Sequence, residues 1–168
     1  VSVVAADCDD IPVALLGAGD CLAQTFDVSS PDACKSAVSE VCDKFGKLSA
    51  LIHLAGIHHT KTWEEVDADD FARVMAVNVT GSFLIAQAAG EMIGRPAGAI
   101  VLTASSGVEL GGVGGDGRGG PAYISSNAAI RSLTRSLSKV VSLSIGRVFF
   151  CAPDSGGVQL CAETRRRS

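Results

Sequence analysis

The 168 residues are 47% hydrophobic, 19% charged and 5% aromatic, with 14 Lys+Arg against 18 Asp+Glu for a formal charge of -4. Enough apolar side chain is present to build a core, which excludes a disordered chain, and the acidic balance excludes nucleic acid as the main partner. The length predicts one domain over residues 1–168.

Strand-like runs of small and β-branched residues fall at Val1 to Ala6, Leu22 to Phe26, Ala50 to Leu54, Ala99 to Ala104 and Arg147 to Ala152. A helix between the second and third runs is punctuated by Ser30 as N-cap, Pro31 in the first turn and Gly46 as stop, with Ala33, Ala37, Val38, Val41, Cys42 and Phe45 as its stripe. The next helix is predicted from about Asp67 to Ile93, where Phe71, Val74, Met75, Asn78, Ser82, Ile85 and Ala89 keep helical spacing. Asn78 thus lies in an apolar stripe, and a buried amide needs a specific hydrogen-bond partner. The glycine-rich stretch Gly111 to Gly120 is predicted to be a mobile loop. It formally contains G-x-G-x-x-G, but not between a strand and the helix that would receive a pyrophosphate. A last helix from about Pro121 to Val141 turns Ile130, Leu133, Leu137 and Val140 inward and places Tyr123 and Asn127 one turn apart.

Continuous apolar strands alternating with amphipathic helices predict an α/β fold with a parallel sheet covered on both faces. The six cysteines form no C-x-x-C pair and are read as free thiols. With no apolar run read as a membrane span and no leader recognised, a soluble cytoplasmic protein is expected. His53, His58 and His59 lack the acidic or thiol companions of a metal site, so no metal is expected, and His58-His59 is read as a loop at a substrate mouth.

Three features coincide: Leu51-Ile52-His53-Leu54-Ala55-Gly56-Ile57 ending a strand, Asn78-Val79-Thr80-Gly81 on the next helix, and Ile100 to Ser106 preceding Tyr123. In this order they resemble the short-chain dehydrogenase/reductase family, apparently truncated at both ends. The resemblance implies a Rossmann-like doubly wound sheet and an oxidoreductase moving a hydride between NAD(H) and a secondary alcohol or ketone. It implies Tyr123 as the acid/base at the substrate oxygen and Ser105 as that oxygen's hydrogen-bond partner, with Ser106 the neighbouring alternative. Asn78 resembles the family asparagine that interrupts a helix ladder and holds a relay water; a core amide bonded to a nearby strand is the other reading. Asp7 matches the carboxylate that accepts from the adenosine ribose, which favours NAD over NADP because a 2′-phosphate would be repelled. Asp27 and Val28 resemble the pair beside the adenine, Ala55 and Gly56 the turn beside the ribose, and Pro153 the residue flanking the nicotinamide. Homo-oligomers form in many relatives through the helices that correspond to those around Asn78 and Tyr123.

The departures are as specific as the matches. The family's glycine-rich turn and its strand precede the segment that Val1 to Asp7 resembles, and these residues do not supply them. Tyr-x-x-x-Lys reads Tyr123-Ile124-Ser125-Ser126-Asn127, which removes the ammonium that lowers the tyrosine's pKa in the family. Ketoreductase domains of polyketide synthases are similar in having an asparagine there, but they carry a lysine on the preceding helix, where this chain has Asn78. His53-Leu54 replaces Asn-Asn, Asp154 replaces a glycine, and the likeness is read as ending at Asp154. The alternative functions are therefore a catalytically impaired relative acting as a binding or assembly module, or a fragment.

Overall fold

The computed structural model describes residues 3–7, 9, 21–59, 61–94, 98–111, 120–141, 146–154 and 157–162. In chain order these form β1 (Val3–Asp7), β2 (Cys21–Thr25), α1 (Pro31–Phe45), β3 (Ala50–His53), α2 (Ala68–Met75), a π-helical turn (Ala76–Gly81) and α3 (Ser82–Met92). They continue as β4 (Gly98–Thr103), the short α4 (Gly107–Leu110), α5 (Gly120–Val141), β5 (Gly146–Asp154) and β6 (Gly157–Ala162). Most of the predicted glycine-rich loop, 112–119, lies outside the described residues.

The helix ends follow local chemistry. The Ser30 hydroxyl accepts from Ala33 N at 3.4 Å, Pro31 occupies the first turn, and Gly46, at φ 80°, donates its N–H to Cys42 O at 2.8 Å. Asp67 and Asp70 make a capping box at the start of α2: Asp70 N donates to Asp67 Oδ1 at 2.8 Å and Asp67 N to Asp70 Oδ2 at 3.2 Å.

β3, β4 and β5 run parallel, with β6 antiparallel at the edge, in the order β3-β4-β5-β6. β1 and β2 form a separate parallel pair. Among the described residues, no ladder joins β1 to β3. Between the two sheets α1 packs on α3, while α2 and the π-helical turn pack on α5. The crossovers from β3 to β4 and from β4 to β5 step in one direction, and right-handed crossovers of that kind put α2, α3 and α5 on one face of the sheet; α1 joins them by packing on α3. The core lies under them: Cys34, Val38, Ile85, Ala89, Ile100, Leu102, Ile130 and Val148 form one buried cluster. Along β4 the residues facing this layer, Gly98, Ile100 and Leu102, are buried, while Ala99, Val101 and Thr103 are half-buried. Ile52 on β3 is 66% exposed. The expected cover on both faces is thus seen on one face among the described residues.

Three further expectations are corrected. β6 and α4 are additions to the expected elements: Gly157–Ala162 pairs antiparallel with β5 although its sequence carries no strong strand pattern, and α4 is a single turn. Phe71 and Val140, expected inward, are exposed, because the helices carrying them turn their buried faces toward Val74 and Asn78 and toward Thr134 and Ser138. Cys34, absent from the expected α1 stripe, is fully buried and donates its thiol to Val28 O at 3.3 Å. Cys34 and Cys42 are free thiols. The continuous helical stretch Ala68–Met92 is long and apolar enough by composition to cross a membrane. Here its stripe packs on neighbouring helices and strands, and it carries Asn78 and Ser82 in its buried side.

Candidate active site

The π-helical turn Ala76–Gly81 is centred on Asn78, so the helix ladder is interrupted at the residue whose position in an apolar stripe demanded an explanation. Three hydrogen bonds hold the Asn78 carboxamide. Its Oδ1 accepts from Ile57 N at 2.8 Å, and its Nδ2 donates to Ile57 O at 2.9 Å and to Ser126 Oγ at 2.9 Å. Its backbone carbonyl accepts from the Ser82 hydroxyl at 2.5 Å. The segment after β3, the interrupted helix and the first turns of α5 are therefore tied by one buried amide. Gly56 belongs to the same knot, since a Cβ there would stand 3.4 Å from Asn78 Oδ1.

Tyr123 sits on α5 at the far side of that knot. Its backbone carbonyl accepts from the Ser126 hydroxyl and from Asn127 Nδ2, each at 2.8 Å. Asn127 is 5% exposed, and its amide is turned back onto its own helix. The His58 ring meets the Tyr123 ring edge-on, with centroids 6.0 Å apart and planes at 75°. This places the tyrosine at the carboxyl end of β3, where open α/β sheets bind ligands. Ser105 leaves the carboxyl end of β4, and its hydroxyl accepts from Gly107 N at 3.1 Å. Among the described residues nothing accepts the Ser105 hydroxyl proton. Ser106 immediately precedes α4 without a side-chain cap bond, and a Glu109–Arg131 ion pair links that turn to α5, the helix of Tyr123.

The residues expected around a dinucleotide are divided between the β1–β2 pair and the four-stranded sheet. Asp7 ends β1, exposed, with Asp9 N reaching its Oδ1 at 3.4 Å. Asp27 accepts from Ser29 N at 2.8 Å and from the Ser29 hydroxyl at 2.7 Å, contacts that hold its carboxyl below the ordinary range. Val28 is half-buried and packs toward Gly81, where an added Cβ would meet its Cγ2 at 2.8 Å. Ala55 and Gly56 are exposed just after β3, and Pro153 lies near the end of β5, opposite Val158 of β6. A carboxylate at a strand end and an open backbone turn each suit a ribose. A pyrophosphate finds less among the described residues: the N-termini of α1 and α2 are already capped by Ser30 and Asp67 and carry Asp32, Asp69 and Asp70. Those acids repel a phosphate.

His53 is 6% exposed, its Nε2 has no hydrogen-bond partner, and burial lowers its pKa to about 4. Its backbone carbonyl accepts from the Thr103 hydroxyl at 2.8 Å, which closes the β3–β4 end. No cluster able to hold a metal ion occurs among the described residues. The sequence reading missed Ser126, which connects Asn78 to Tyr123. Its spacing, three residues after Tyr123 on the same helix face, was the available signal.

Residues 7–160 match the family model described as short chain dehydrogenase, so the likeness runs past Asp154, where the sequence reading ended it. The chain is 31% identical over 129 residues to meso-2,3-butanediol dehydrogenase of Serratia marcescens, covering 77% of this chain and 49% of that protein. It is 37% identical over 115 residues to secoisolariciresinol dehydrogenase of Forsythia intermedia, covering 67% and 40%. Among solved structures it is similar to a short-chain type dehydrogenase/reductase from Mycobacterium marinum, with TM-score 0.72, 26% identity and coverage of 80% and 54%. A short-chain dehydrogenase from Burkholderia cenocepacia in complex with NADP aligns with TM-score 0.66, 28% identity and coverage of 73% and 48%. The chain spans about half the length of the relatives it matches. With a family match over residues 7–160 and relatives above 30% identity, this chain belongs to the short-chain dehydrogenase family.

Proposed function

We propose that the chain carries the acid–base side of an NAD(H)-linked oxidoreductase acting on a secondary alcohol or ketone. The observation that supports this reading is the Asn78 bridge, which ties the first turns of α5, where Tyr123 lies, to Ile57 in the segment after β3; Ser105 follows the neighbouring strand β4. A bound nicotinamide accepts or returns the hydride. Tyr123 takes the hydroxyl proton as an alcohol is oxidised and gives one to the oxygen as a ketone is reduced, while the Ser105 hydroxyl donates to that oxygen. NAD is favoured over NADP because Asp7 stands exposed at the end of β1 and a carboxylate repels a 2′-phosphate.

A second reading, a binding or assembly module, has its own observation: Asn127 bonds Tyr123 O and brings no cation to the phenol. The exposed Phe71, Phe83, Met92 and Val140 on α2, α3 and α5 suit a homo-oligomeric contact through these helices. Titration with NADH and NADPH, followed by nicotinamide fluorescence and thermal shift, tests the first reading. Saturable NADH binding, weaker NADPH binding and tighter binding by Asn127→Lys are expected. If neither protein binds NADH, the oxidoreductase reading falls. The module reading then requires an oligomer that Phe83→Glu dissociates in light scattering.

A further inference from the structure

The buried side of α5 carries four polar residues beside Ala122 and Ile130: Ser126 and Thr134 are fully buried, and Asn127 and Ser138 are nearly so. Each of the three hydroxyls donates to a carbonyl of its own helix, Ser126 to Tyr123 O, Thr134 to Ile130 O and Ser138 to Arg135 O. Such bonds are local and satisfy the hydroxyl without reference to the rest of the fold. Among the described residues Ser126 is the one of the three that also accepts a hydrogen bond from another element, Nδ2 of Asn78 at 2.9 Å. Asn78 in turn holds both backbone polar groups of Ile57, the residue beside His58. A continuous chain of hydrogen bonds thus runs from the segment after β3, through the π-helical turn, to the carbonyl of Tyr123.

We propose that Ser126 is a positioning residue: its hydroxyl, held by Asn78, fixes Tyr123 in register with the segment carrying Ile57 and His58. The oxidoreductase reading gives this its catalytic meaning, but the positioning itself needs no cofactor. An apolar residue at 126 would fill the same space while leaving one Nδ2 hydrogen of Asn78 buried without an acceptor. The knot would then have no bond to α5 from Asn78, and the Tyr123 ring would be free to shift against His58.

The composition makes this readable. The chain has 1 tyrosine and 3 histidines, and His58 lies edge-on to Tyr123 with centroids 6.0 Å apart. The ring-proton chemical shifts of His58, assigned by His→Gln substitution, therefore carry the ring current of Tyr123, and Tyr123→Leu gives the value without it. Ser126→Ala is expected to move the native His58 signals by half or more of the way to the Tyr123→Leu value. Ser126→Thr, which keeps the hydroxyl, is expected to restore them. A loss of stability alone changes the population of the native state, not its shifts. Should Ser126→Ala fail to fold, Ser126→Cys, a similar volume with a weak donor, is measured in its place. Wild-type His58 shifts in a folded Ser126→Ala or Ser126→Cys protein would overturn the proposal. The NADH titration is independent: shifts that respond in a protein that binds no NADH leave the positioning standing and remove the oxidoreductase reading.

Discussion

The carboxyl ends of β3 and β4 and the β1–β2 pair use similar short apolar strands, yet they are held in different ways. At the first, hydrogen bonds reach across 21 and 48 residues of chain, from Ile57 to Asn78 and from Asn78 to Ser126, over a core containing Ile100, Leu102 and Ile130. At the second, β1 pairs with β2, and the approach of Val28 to Gly81 fastens the segment after β2 to the interrupted helix. The second region is also tied to α1, where Gln24 Nε2 donates to Ala37 O at 3.0 Å and to Glu40 Oε2 at 2.9 Å, but these bonds span 13 and 16 residues and end on one helix, whereas the Asn78 bonds stitch three separate elements around a buried amide.

Asn78→Leu is the substitution that breaks the stitched region most severely. It removes all three side-chain bonds and leaves the Ile57 N–H and C=O buried or half-buried without partners, at a cost of about 3 kcal/mol or more. Thermal unfolding should report this as a Tm lowered by roughly 6 to 12 °C. An unchanged Tm would mean that water replaces the amide and that the two regions are not held differently.

Acid should act on the same region through His53. Its folded pKa is lowered from 6.5 to about 4 by burial, so between these values the unfolded chain binds the proton that the folded chain refuses. Stability is therefore undiminished above about pH 6.5, falls as the pH is lowered, and levels off below pH 4, with a total loss of about 3 kcal/mol from this group. Urea unfolding at pH 7 and pH 4.5 measures it, and His53→Asn should flatten the difference.

Gly81→Ala tests the fastening between the regions. The new Cβ would stand 2.8 Å from Val28 Cγ2, so one side must move, and a loss of about 1 to 3 kcal/mol is expected. Val28→Ala in the same chain should recover much of it, because the clash is with that methyl. If the double variant is as unstable as the single one, the contact does not join the regions. Asp67→Ala should cost about 1 kcal/mol by removing half of the capping box, a local effect that leaves both regions in place. Lys61→Met breaks the exposed ion pair with Asp70, 2.5 Å long, and should leave the urea unfolding midpoint unchanged at physiological salt, because water and salt screen such a pair.

The elements that could be read from the sequence were those with local causes. Ser30, Pro31 and Gly46 mark α1 because caps, a fixed φ and a positive φ act within one turn. Asn78 could be singled out because an amide in an apolar stripe contradicts the pattern around it. Its partners could not, since Ile57 and Ser126 are distant in sequence and ordinary in type. The same distance hid the contact of His58 with Tyr123, although the loop had been read as lining the mouth of a site.

By itself, then, the sequence determined the alternation of strand and helix, the caps and the chemical identity of Tyr123, Ser105 and Asn127, because each follows from side-chain type and short-range spacing. The tertiary structure alone decided that α1 packs on α3 and α2 on α5, and that the Asn127 amide turns back to Tyr123 O. It also decided where the Asn78 bonds go. Those outcomes depend on which distant groups meet in space, and a buried polar group takes whichever partner the packing brings within reach.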